Sequence, residues 1–221
     1  MSKFLAPIHS WLFNKIKISE MLEKDIVEAF DKKYGNASII YEEIVNNLGH
    51  PTEDLPLEDI IDKSNIHGWL QEKISLTEKR TAALVTKLIL KFGEDSKSII
   101  IDVFKAQGEI CGKEVKEDSF LESPRDLFKA VNNYILEGMP CDNVNSVSED
   151  TEDKIQWVTS KCLHKKYWDL VNGDINTFYI LRKAWIESFV EAINPLFLYN
   201  RIIEDNNGNC TFINSIYKNN I

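Results

Sequence analysis

A nine-residue string that occurs twice constrains the fold of this chain more than any other feature. Ile8-His9-Ser10-Trp11-Leu12-Phe13-Asn14-Lys15-Ile16 is matched by Ile66-His67-Gly68-Trp69-Leu70-Gln71-Glu72-Lys73-Ile74, and Ile8 to Ile66 is an offset of 58 residues. The match continues through Ser19-Glu20 against Thr77-Glu78 and resumes at the same offset with Lys33-Tyr34-Gly35 against Lys91-Phe92-Gly93. An I-H-x-W-L-x-x-K-I pattern is hard to obtain twice by chance. The N-terminal half therefore reads as an internal duplication, with copies at about residues 8–49 and 66–108.

Each copy describes a helical hairpin. Trp11, Leu12, Ile16, Ile18, Met21 and Leu22 recur at helical spacing, as do Trp69, Leu70, Ile74, Leu76, Ala83 and Leu84. The long helix of each copy is expected to end at Gly35 or Gly93, since glycine adopts the left-handed backbone that closes a helix. A second helix then runs to about Gly49 or Gly108. One hairpin cannot bury both its faces, so two copies are expected to pair as a bundle. Between them, His50-Pro51-Thr52-Glu53-Asp54-Leu55-Pro56 reads as an acidic linker, with a short helix at Leu57 to Ile61.

The second half changes character along its length. Ser123-Pro124-Arg125-Asp126 is a helix start, and that helix is expected to run to Glu137. Residues 141–153 are polar and acidic and read as a mobile loop, followed by a helix from Asp153 to about Val171. A further apolar helix spans Asn176 to Ile193, where Asn194-Pro195 stops it. Leu196–Ile203 and Cys210–Tyr217 then read as two strands around the turn Asp205-Asn206-Asn207-Gly208-Asn209. The expected fold is mainly α: duplicated helical hairpins forming a bundle over residues 1–110, then a helical region over 111–221 ending in a small β-hairpin packed on helices.

The net charge of −9 sets acidic clusters such as Glu149, Asp150, Glu152 and Asp153 on the surface, which disfavours nucleic-acid binding. No apolar run reaches the ~18–20 residues that span a bilayer. Four cysteines without a C-x-x-C, in a chain long enough to need no disulfides, point to a cytoplasmic protein with reduced thiols.

The residues that could carry chemistry are few. His9 and His67 occupy equivalent places in the two copies, so a symmetric bundle could bring both imidazoles to one axis as ligand or metal candidates. Cys162 and His164 form a thiol and imidazole close in sequence; on a helix, Cys162 would share a face with Lys165 or Lys166, which would activate the thiol. Cys141, Cys162, His164 and Cys210 are a conceivable metal set, but their spacing fits no zinc finger or ribbon and leaves metal and cofactor unknown. Trp157, Tyr167, Trp168, Phe178, Tyr179 and Trp185 could line a pocket for a flat apolar ligand. Phosphate-loop, dinucleotide, zincin and α/β-hydrolase signatures are absent.

Cys162, Gly173, Asn194-Pro195, Tyr199-Asn200-Arg201 and Gly208-Asn209-Cys210-Thr211-Phe212 together resemble the C-terminal end of the 2-amino-thiazoline-4-carboxylate hydrolase-like family. The family's middle cysteine has no counterpart between Cys162 and Cys210, and the duplicated half is not covered. The resemblance implies an α/β-capped helical fold and thiol-based opening of a small ring or amide, and marks Cys162 and Cys210 as candidates. In a thiol-dependent reading of the residues, Cys162 is the nucleophile and His164 or a duplicated histidine the base. Two functional expectations follow. One is a small-ligand-binding or cysteine-dependent hydrolase-like protein. The other is a non-catalytic helical interaction or assembly protein that forms a homo-oligomer.

Overall fold

The computed structural model describes residues 5–119, 121–206 and 209–219. Pro7 opens helix α1 (Pro7–Tyr34), at a position where a missing N–H costs no helical hydrogen bond. The helix closes at Gly35, φ 68°, whose amide donates to the Asp31 carbonyl. Helix α2 (Ala37–Leu48) closes in turn at Gly49, and a single turn, α3 (Leu57–Ile60), follows the linker. Helix α4 (Ile66–Phe92) starts at Asn65, whose side chain accepts from the Gly68 amide at 3.1 Å, and ends at Gly93, φ 86°. These stops fall where the glycines were expected to place them.

α1 and α4 run parallel and in register. His9 meets His67 at one end, with ring centroids 5.5 Å apart. Tyr34 stacks on Phe92 at the other, at 4.5 Å. Residues 58 apart in sequence are thus neighbours across the helix pair at both ends.

Helix α5 (Lys97–Asp118) departs from expectation: it runs straight through Gly108. A Cβ at Gly108 would lie 2.3 Å from the Trp185 carbonyl oxygen, and one at Gly112 would lie 2.5 Å from that of Phe189. Gly108-x-x-x-Gly112 is therefore a groove in a continuous helix, and its glycines serve backbone approach rather than termination.

The chain forms two compact units that interleave in sequence. The first gathers the described residues up to Ile100 with Leu136–Met139 and His164–Ile175. The second takes Ile101–Ile135, Pro140–Leu163 and the described residues from Asn176 onward. The division expected after residue 110 falls inside α5. In the first unit Leu12, Phe13, Ile16, Leu57, Leu70, Ile74 and Leu136 build one apolar core.

In the second unit, α6 (Pro124–Tyr134) begins as expected, with the Ser123 hydroxyl accepting from the Asp126 amide, but ends at Tyr134 rather than Glu137. The segment read as a mobile loop contains strand β1 (Asn145–Asp150), and the expected helix from Asp153 begins instead as strand β2 (Lys154–Thr159). Alternation decides this: Ile155, Trp157 and Thr159 face inward while Lys154, Gln156 and Val158 do not. Helical structure returns only with α7 (Lys165–Leu170), which belongs to the first unit. Helix α8 (Ile175–Ile193) matches expectation, and strands β3 (Phe197–Asn206) and β4 (Asn209–Lys218) form the expected hairpin but run into the expected turn, pairing as far as Asn206 with Asn209. Asn207 and Gly208 of the expected turn lie outside the described residues. The strands form one antiparallel sheet in the order β1-β2-β4-β3, so the hairpin is half of a larger sheet.

Candidate ligand site and its buried ion network

The first unit holds a cavity of about 660 Å³ between the linker and α4, lined by Gly49, His50, Pro51, Thr52, Glu53, Ile60, Trp69, Lys73 and Leu76. This volume lies in the range of small-molecule sites. Helical spacing places Trp69, Lys73 and Leu76 on one face of α4, and the Lys73 ammonium sits 5.3 Å from the Trp69 ring centroid. The equivalent pair on α1, Lys15 and Trp11, makes the same contact at 3.4 Å.

The rim, Gly49–Glu53, lacks regular secondary structure and is held from beneath by buried charge. Arg80 of α4 is fully buried, and its five N–H groups are all engaged. Nε donates to Glu23 Oε2 at 2.9 Å. Nη2 donates to Glu20 Oε1 at 2.9 Å and to Thr77 Oγ1 at 3.2 Å. Nη1 donates to the carbonyls of Gly49 and His50, at 3.4 and 3.3 Å. Glu20 also accepts from the Thr52 amide at 2.9 Å and from the Thr52 hydroxyl. Glu23 accepts from the Tyr41 hydroxyl at 2.6 Å and from Thr81 at 3.1 Å. A loop tied at three successive or near-successive residues to a rigid helix pair is a preorganised wall.

Burial pushes the Glu23 carboxyl up to about 7, against the pull of Arg80 and the hydrogen bond from Tyr41. Burial, with the Glu23 charge beside it, raises the Tyr41 phenol well above its ordinary value. For Arg80, burial works against the charge, but Glu23 and Glu20 more than offset it and keep it protonated.

His9 and His67 do meet, and the His9 ring is engaged by the backbone. The Ala6 amide donates to His9 Nδ1 at 3.0 Å, so this ring is the Nε2–H tautomer when neutral and has no second lone pair to give. His9 instead caps α1.

His164 is buried at the start of α7 between two carboxylates. Its Nδ1 lies 2.9 and 3.0 Å from the two oxygens of Glu78, and its Nε2 lies 3.2 Å from Glu137. Neither nitrogen is open to take a thiol proton. Glu78 follows Glu20 at the same offset as His67 follows His9, and both carboxylates are buried with different partners. Cys162 precedes α7 and is not helical, so the face shared with Lys165 and Lys166 does not exist. In the second unit, burial and then a hydrogen bond with Cys162 raise the Tyr179 phenol, and Cys210 adds to the effect. Among the described residues no three His, Cys, Asp or Glu side chains are arranged to hold a metal ion.

The aromatic residues expected to line one pocket are divided: Tyr167 and Trp168 are buried in the first unit, Trp157, Tyr179 and Trp185 in the second. Among the described aromatic residues, Trp69 both lines the cavity and packs against the apolar core of the first unit, as its helical spacing suggested.

No family model matches the chain. No curated protein matches it either. Among solved structures, the Fe(II) unliganded H-NOX protein from K. algicida is similar over 91% of this chain and 96% of that one, at 14% identity and a TM-score of 0.38. An alanine-to-glycine mutant of the same protein gives 90% and 95% coverage, 14% identity and a TM-score of 0.31. No helix among the described residues is long and apolar enough to cross a membrane.

Proposed function

We propose that this chain is a small-ligand-binding protein whose site is the cavity at Gly49–Glu53, Ile60, Trp69, Lys73 and Leu76. The observation that carries this reading is the fully satisfied Arg80–Glu20–Glu23 array beneath the rim, which holds a cavity wall in place. Pro51, Ile60, Trp69 and Leu76 offer an apolar, partly aromatic surface, and Lys73 offers one cation beside it. The matching ligand is a flat, largely apolar molecule with one anionic group. Glu53 at the mouth disfavours a second negative charge.

The test is a fluorescence titration with naphthoate and its neutral counterpart naphthamide. Naphthoate is expected to bind more tightly, and Trp69→Ala to lose roughly tenfold or more in affinity. Lys73→Met should remove the preference for the anion. Equal binding by the wild type and both variants would exclude this cavity.

The assembly reading has one observation in its favour. β3 is an edge strand, and its Leu198 and Ile202 side chains are 39% and 53% exposed. Light scattering tests it, and a strict monomer at high concentration would remove it.

A further inference from the structure

The cavity rim is joined through Arg80 to a fully buried carboxyl group. Glu23 is 0% exposed, yet it is one residue removed from the cavity wall: it binds Arg80, and Arg80 binds the Gly49 and His50 carbonyls. Glu20 extends the same array to Thr52. The titratable or charged groups facing Glu23 are Glu20 on its own helix, Tyr41 from α2 and Arg80 from α4. Two carboxylates share one guanidinium, so with both ionised the array carries one uncompensated negative charge. Burial first, and Glu20 last, raise the Glu23 carboxyl to about 7, while Arg80 and Tyr41 act the other way. A proton there makes the array neutral without breaking the Glu20–Thr52 link.

We infer that this array couples ligand binding at the cavity to proton uptake, because the array behind the cavity wall is neutral to an anionic ligand when Glu23 is protonated and one charge more negative when it is not. The inference rests on the ligand-binding reading above. Linkage makes the coupling reciprocal: a bound anion raises the affinity of Glu23 for its proton. Glu23 is a positioning residue here, since it acts on the ligand through Arg80 and the rim.

The experiment is the affinity of the full chain for naphthoate as a function of pH, with naphthamide as the uncharged control. Naphthoate is expected to bind roughly fivefold more tightly at about pH 6 than at about pH 8, with the midpoint near the Glu23 value. Naphthamide should show a much smaller change. Glu23→Gln keeps the shape, fixes the neutral state, and should hold the low-pH affinity throughout. Tyr41→Phe removes a hydrogen bond that favours the ionised carboxylate, so the midpoint should move upward; this variant carries the test if Glu23→Gln does not fold. Equal wild-type affinity across the range overturns the inference, as does a pH dependence that survives Glu23→Gln or a midpoint unmoved by Tyr41→Phe. Absence of binding at every pH overturns the ligand-binding reading, and this inference with it.

Discussion

Arg80 and Glu23 form an ion pair at 2.9 Å in which the two side chains are 1% and 0% exposed. Such a pair costs desolvation on both sides, and it persists because every remaining donor of Arg80 also has an acceptor. Its loss on one side strands the other charge. Arg80→Ala is therefore expected to destabilise the protein by about 3–5 kcal/mol. Urea denaturation checks this. Arg80→Lys should recover little, because an ammonium cannot reproduce the fork that reaches both carboxylates and the rim.

The pH dependence of stability has a definite sign. Glu23 is raised from 4.5 to about 7 in the folded protein, so between those values the native state holds a proton that the unfolded chain has released. Stability should fall as pH rises through that window, by about 3 kcal/mol in total from this group, and be insensitive to it above. Glu23→Gln should remove this part of the slope. Denaturation midpoints across the window give the measurement.

His164 faces carboxylate oxygens at both nitrogens, so the buried ring is the shared partner of Glu78 and Glu137. His164→Leu leaves Glu78 and Glu137 without this partner and is expected to cost about 3 kcal/mol. Adding Glu78→Leu should restore part of that loss. A double-mutant cycle with a coupling near zero would contradict the account.

Gly108 and Gly112 should tolerate no side chain. Alanine is the better helix former by about 1 kcal/mol, yet its Cβ would overlap the carbonyl oxygens of Trp185 and Phe189 on α8. Overpacking against backbone is expected to win, and each Gly→Ala variant should lose about 1–3 kcal/mol in thermal or chemical denaturation.

Much of the helical architecture was legible because its signals are local. Gly35, Gly49 and Gly93 stop their helices, Pro124 starts one, and helical spacing marks Leu12, Ile16, Leu70 and Ile74 as core. Gly108 misled because a glycine that admits a neighbouring helix looks the same in sequence as one that ends its own. β1 was hidden for a different reason. Asn145–Asp150 is a polar edge strand whose Val147 is 50% exposed, so it carries no apolar alternation, and its pairing with β2 is a non-local fact.

The site was less legible than the fold. His9, His67, Cys162, His164 and Cys210 drew attention as reactive types, whereas the network that shapes the cavity uses Glu20, Glu23 and Arg80. A signal did exist. Ile16, Glu20, Glu23, Ile26 and Phe30 follow one another at helical spacing along the buried face of α1, and charges within a core face call for partners. Which partners those are depends on the parallel pairing of α1 with α4, and one helix alone does not reveal it.

The most direct test of the ligand-binding claim is a residue-resolved map of naphthoate binding by ¹H–¹⁵N nuclear magnetic resonance. The account predicts shifts concentrated on the amides of Gly49, His50 and Thr52, the Trp69 indole N–H, and the amides of Lys73 and Leu76. Shifts centred elsewhere, on the Trp185 indole for example, or no shifts at millimolar ligand, would contradict it.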